Sequence, residues 1–289
     1  MTWDLIKQTL FPSGDGSSII TLVYWFVLAM FAGLEFFAPQ FEEAHRGHRW
    51  PTNFGLGLIN VALIPLAPVS ALWAAEWARH NRIGLLNLLD GSWWFLAVIA
   101  TIAILSFADY AMHILFHKTP WLWRLHRVHH FDTAVDISTG LRHHPLELLP
   151  ALLIGVPVAI VFGLLPWALI AYGTADAMFA LFSHANIKLP TSLDRALRLV
   201  LVTPRIHAVH HSAHKPETDS NYGNVFTVWD RLFGTYCDLR ADCPEKMQFG
   251  LAELQDHRAA DLWWQLKSPA YLVTKPTPVL SARSKSSLP

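Results

Sequence analysis

A chain of 289 residues that is 53% hydrophobic and only 15% charged is too apolar for a soluble domain of its size and reads as a membrane protein. Its 22 basic and 22 acidic residues cancel and no basic run interrupts the sequence, which sets nucleic acid aside as a partner. The two cysteines, Cys237 and Cys243, lack CxxC spacing, arguing against a disulfide framework, an iron–sulfur cluster and a thiolate zinc site.

The first apolar run begins near Ser18 and covers residues 19–38. It has no basic stretch directly before it, no A-x-A site, and Glu35 near its end, so it is read as a retained anchor rather than a cleaved signal. Residues 54–75 and 93–116 form two more stretches long enough to cross about 30 Å of hydrocarbon. After Glu147 a longer run, punctuated by Gly163 and Pro166, reads as a tight helical hairpin. From about residue 185 the apolar character is lost, and the tail from Lys275 reads as disordered. Lys118, Arg124, Arg127 and Arg142 in one polar segment, and Lys188, Arg195, Arg198, Arg205, Lys215, Arg231 and Arg240 after the hairpin, place both segments on the cytoplasmic side. Arg79 and Arg82, in a loop that must then lie outside, run against that assignment.

Histidine is the outlier, with 16 copies. DYAMHILFHK sets Asp109, His113 and His117 at successive i, i+4 positions, on one helical face near the cytoplasmic end of the third span. HRVHH gives His126, His129 and His130, and HAVHH gives His207, His210 and His211 with the same i, i+3, i+4 spacing. His184, in LFSHAN, closes the hairpin. A lone HxxxH is as often structural as metal-binding, but two HxxHH motifs and an HxxxH at the ends of membrane spans point to metal. His45, His48, His80, His214 and His257 have no such setting and are assigned no catalytic role.

Imidazoles without thiolates, and with few carboxylates nearby, suit iron, zinc or copper and exclude calcium and magnesium. Nine clustered histidines are too many for one catalytic zinc or one haem and suit a dinuclear centre, in which two irons with open positions activate dioxygen. Asp109, one turn before His113, is a candidate to orient the ligand rings.

HILFH, HRVHH, RHHPLE, FSHAN, TPRIHAVHH and DSNYGNVFTVWDRLFGTY, spread over roughly residues 95–237, resemble the fatty acid hydroxylase and sterol desaturase superfamily of integral membrane non-haem di-iron oxidases. The resemblance implies an all-α membrane bundle, about three single spans plus a hairpin, with a cytosolic helical cap holding the metals. Residues 1–92 would then be an anchor region with two spans, 93–240 the catalytic domain and 241–289 a partly disordered tail. It carries over His113, His117, His126, His129, His130, His184, His207, His210 and His211 as ligands of two irons, which zinc can replace on isolation. His144 matches the family's histidine–proline pair and, with Asp109 and Asn221, is a candidate extra ligand or supporting residue; His143 has no such counterpart.

The implied reaction takes dioxygen and external electrons to hydroxylate or desaturate a C–H bond of a sterol, fatty acyl or related lipid. The sequence shows no GxGxxG fingerprint, haem domain or ferredoxin cysteine set, so a ferredoxin or a cytochrome b5-type reductase system is the expected donor. The expected location is multi-pass in a bacterial inner membrane, with the site facing the cytoplasm. Small and kink-permitting residues in the second and third spans, Gly55, Gly57, Pro65, Pro68, Ala100 and Ala103, suit close helix packing better than a substrate tunnel. The competing readings are a membrane metal-binding or transport protein, a zinc-dependent membrane hydrolase and a bis-histidine cytochrome. Adjacent histidine pairs fit the cytochrome poorly, and no HExxH supports the hydrolase.

Overall fold

The computed structural model describes residues 16–42, 46–89, 91–238 and 247–271, and among them every regular element is helical. Helix α1 (Gly16–Phe37) leaves Leu22, Phe26 and Phe37 exposed, the surface of a helix solvated by lipid. Glu35, near its end, is buried. Its carboxylate accepts from the N–H groups of Ile137 (2.7 Å) and Asn186 (2.8 Å) and from the Arg46 guanidinium (3.2 Å), tying the anchor to the polar end of the molecule.

Helix α2 (Arg46–Leu63) buries Arg49, Thr52, Asn53 and Leu56, a stripe at i, i+3, i+4 and i+7. A 3₁₀ turn at Ile64–Leu66 ends it, because Pro65 and Pro68 remove the N–H donors a continuing helix needs. A new helix, α3 (Ala71–His80), starts from Ser70, whose Oγ accepts from the Trp73 N–H. The single span expected at 54–75 is therefore divided: its helix begins at Arg46 and breaks before Ala71.

Helix α4 (Trp94–Lys118) has 25 residues, about 37 Å at 1.5 Å per residue, enough to cross a bilayer. After Thr119 the chain turns into α5 (Pro120–His130), with proline in the first turn, where its missing N–H costs nothing. The expected hairpin is α6 (Leu148–Phe162) and α7 (Pro166–His184), joined by a left-handed Gly163 (φ 62°). A side chain at Gly84 (φ 98°) would drive its Cβ into the Gly163 backbone nitrogen, so the loop after α3 packs backbone to backbone on this turn. Ala74, Ala75 and Ala159 let α3 and α6 approach in the same way.

Short helices α8 (Thr191–Leu197), α9 (Pro204–His210), α10 (Lys215–Thr218), α11 (Val228–Phe233) and α12 (Leu262–Lys267) build a cap. It sits at the end of the bundle where α4 and α7 finish, opposite the Gly84–Gly163 contact, so both histidine-rich regions share one end as expected. Among the described residues four segments are long and apolar enough to cross a membrane: Ile20–Phe37, Arg46–Leu88, Trp94–Lys118 and Pro145–Phe162. Residues 247–271, expected as part of a C-terminal tail, fold back over the cap. Phe249 packs edge-on against Phe41 (4.9 Å between centroids), and Arg127 donates to the carbonyls of Ser268 (2.6 Å) and Tyr271 (2.7 Å). The stretch from Lys275, and His45, lie outside the described residues.

Candidate metal centre

A buried ionic knot fixes the cap before any histidine is placed. Arg49 on α2 pairs with Asp132 and, at 2.8 Å, with Asp136; Asn53, one turn on, donates to Asp132 (2.7 Å) and accepts from Arg142 (2.7 Å). Arg142, fully buried, also donates to the carbonyls of Val128 (2.7 Å) and Ala259 (2.6 Å). Burial alone would push Asp132 up, but the guanidinium groups of Arg49 and Arg142 hold its carboxyl down at about 2. The loop between HRVHH and RHHPLE is thereby locked to a helix about eighty residues earlier in the chain.

All nine expected histidines are buried, and the fold sorts them into two groups whose ligand atoms lie within 4.8 Å of one another. His113 and His117 from the end of α4, His126 and His130 from α5, and His210 from α9 form the first; His129, His184, His207 and His211 form the second. HRVHH thus divides between the groups, because adjacent residues on a helix point about 100° apart.

The ring hydrogen bonds show which nitrogens are free to ligate. Nδ1–H of His113 donates to the Tyr222 carbonyl (2.8 Å), that of His210 to Ser220 (2.7 Å), that of His129 to Arg142 (3.1 Å) and that of His184 to Ala180 (2.6 Å). His126 Nδ1 faces the Glu147 carboxylate at 3.2 Å. With Nδ1 protonated, Nε2 of each ring carries a lone pair, yet Nε2 of His113 and His126 lie 3.1 Å apart, as do those of His129 and His184. Two facing lone pairs repel unless a cation takes both. Nε2 of His117 and His210 and both nitrogens of His130 are buried without a partner, which a cation would also answer. Burial first, and then the neighbouring imidazoles, hold His129, His130, His207 and His211 well below the ordinary histidine value and His210 at about 3, so these rings are neutral and ligand-competent at pH 7. The donor set fits a pair of transition-metal ions.

The supporting candidates fare differently. Both nitrogens of His144 are engaged by backbone, Nδ1 accepting from the Leu146 N–H (3.1 Å) and Nε2 donating to the Leu266 carbonyl (3.1 Å), so this residue tethers α12. His143 faces the site in its place: its ring stacks on His129 (4.5 Å, 10°) and its Nδ1 meets Glu147 at 3.3 Å. Sequence reasoning missed both His143 and Glu147, although a histidine four residues before a glutamate was a readable pairing. Asn221 makes its side-chain hydrogen bonds to backbone and not to a histidine. Held at φ 51°, it donates to the carbonyls of Ile206 (3.2 Å) and Cys237 (2.7 Å), and its turn aims the flanking Ser220 and Tyr222 carbonyls at His210 and His113. Asp109 accepts from the Tyr172 hydroxyl (2.7 Å) rather than orienting a ligand ring.

A cavity of about 270 Å³ reaches the histidines, lined at that end by His113, His126, His129, His184 and His207, with Met112, Phe116 and Ala180 as apolar wall. Against this geometry, residues 98–235 match the family Fatty acid hydroxylase. Over these residues the chain is similar to fatty acid hydroxylases. Ornithine lipid hydroxylase OlsE of Rhizobium tropici is 28% identical over 186 residues, covering 64% of this chain and 50% of that protein. Alkylglycerol monooxygenase of Homo sapiens is 26% identical over 184 residues (60% and 38%), and fatty acid hydroxylase vlmA of Lecanicillium sp is 32% identical over 178 (55% and 47%). The chain spans half the length of these relatives or less. No solved structure matches. The matched residues contain all nine histidines, while Glu35, Arg49, Asn53 and Ala259, which brace them, lie outside the match.

Proposed function

We propose that this protein is a membrane-bound di-iron oxidase that hydroxylates a C–H bond of a lipid with dioxygen and electrons from a separate protein. The carrying observation is the pair of buried histidine groups, with lone pairs converging at the end of a cavity walled in part by Met112, Phe116 and Ala180. When bound, two ferrous ions supply the reduction of dioxygen that attack on an unactivated C–H bond requires; overall, R–H + O₂ + 2 e⁻ + 2 H⁺ gives R–OH + H₂O. His113, His117, His126, His130 and His210 would hold one ion, and His129, His184, His207 and His211 the other. Met112, Phe116 and Ala180 would hold the substrate's apolar part against that end. Relatives named for hydroxylating an ornithine lipid and for oxygenating alkylglycerols support a lipid substrate. The Lys and Arg of the cap support a cytoplasmic site, and the absence of a dinucleotide or haem motif in these 289 residues supports an external ferredoxin or cytochrome b5-type donor.

Lipid extracts from cells making the protein, with a reductase present, are compared with extracts from cells making His129→Ala. The expected result is a lipid class that gains one oxygen under air, and neither in the variant nor without air. Identical extracts would overturn the reading.

A further inference from the structure

Away from the histidines the cavity wall includes two acids that the metal reading leaves unused. Asp109 lies one helical turn before His113 on α4 and Asp176 two turns before His184 on α7, about 6 and 12 Å back from the metal end. Tyr172 donates to Asp109 Oδ2 (2.7 Å) and Asn224 donates to Asp176, but Asp176 Oδ1 is buried without any partner. The two carboxylates are close enough to feel each other's charge, and none of the cavity-lining residues described is Lys or Arg.

Carboxylates at membrane depth are costly and mark sites for polar or charged ligands. The donors on hand are the Tyr172 hydroxyl, Asn224 and, toward the histidines, Ser183 and the His143 ring, with no Lys or Arg beside the two acids, so the complementary group brings several N–H donors and a positive charge. An ammonium has three donors and cancels charge; an alcohol has one and cancels none; a phosphate or carboxylate is repelled. We propose that Asp109 and Asp176 form a subsite for a protonated primary amine carried by the lipid substrate. This rests on reading the cavity as the substrate site, and it deepens that reading by naming an aminolipid as the class. The competing way to relieve the pair, one proton shared between the two carboxylates, needs no ligand.

The full chain in phosphatidylcholine nanodiscs is loaded with radiolabelled octadecylamine, with empty discs as background. Unlabelled octadecylamine, octadecanol, octadecanoate and butylamine then compete, without metal and without oxygen. Charge-assisted pairing predicts that octadecylamine displaces the label at roughly tenfold lower concentration than octadecanol, with octadecanoate weakest. Asp109→Asn and Asp176→Asn should bring the amine-to-alcohol ratio to near one. A wild-type ratio near one would overturn the subsite and leave the shared proton, and this holds whether or not the variants fold. Butylamine competing as well as octadecylamine would overturn the lipid assignment. Amine preference without lipid oxidation by the metal-loaded protein would count against the proposed oxidase alone; oxidation without amine preference would count against the subsite alone.

Discussion

The two histidine groups are built from the same residue type yet held in different ways. In the first, His113 and His210 are aimed by carbonyls of the 220–222 turn, His126 faces Glu147 at 3.2 Å and His117 faces Asp219 at 3.4 Å. In the second, His129 and His184 lean on backbone carbonyls, and Nδ1 of His207 and His211 has no partner. A carboxylate behind an imidazole makes the ring a better donor, so the first group should bind its ion more tightly and the second, with one ligand fewer, should be the more open. A symmetric pair of sequence motifs therefore yields an asymmetric pair of sites.

The largest expected effect comes from removing a ligand. His126→Ala should reduce oxygen-dependent lipid hydroxylation to background and empty the first site, as read by activity and by elemental analysis; full turnover would remove His126 from the ligand set. Next comes the knot that carries the Arg142 carbonyl to His129. Arg49→Met removes the guanidinium that pairs with both Asp132 and Asp136, and breaking such a buried pair costs about 3–5 kcal/mol. Denaturant unfolding in detergent should register that loss, with the second site losing metal before the first.

Smaller is the effect of Glu147→Gln, which keeps the shape and removes the charge behind His126. Outer partners of this kind typically change metal affinity by about 10–100-fold. Chelator titration should show the drop in the first site while the second is unchanged; equal loss from both would erase the asymmetry. The smallest effect is expected at His48 and His80, where alanine should leave metal content and activity as they were.

Much of this was legible in the sequence for a physical reason. HxxxH and HxxHH fix which rings share a helical face, and Gly163 with Pro166 fixes a turn, because both depend on neighbours a few residues away. Pro65 and Pro68 were visible too, but an apolar run around them reads as one span unless the break is weighed above the hydropathy. The knot was not legible: Arg49 meets Asp132 and Arg142 meets Ala259 across 83 and 117 residues, and no local pattern announces such partners. Choosing between His143 and His144 likewise required the backbone, since adjacent residues face different ways and only the position of Leu266 shows which ring is taken.

The most direct test of the central claim is a count of iron per chain, by elemental analysis, in protein purified from iron-replete, zinc-poor cells, for the wild type, His210→Ala and His184→Ala. A dinuclear centre with nitrogen ligands predicts about two irons in the wild type and about one in each variant, His210→Ala losing the ion of the first group and His184→Ala that of the second. A wild type holding one iron or none, or variants that both keep two, would contradict a two-metal centre divided between these histidine groups.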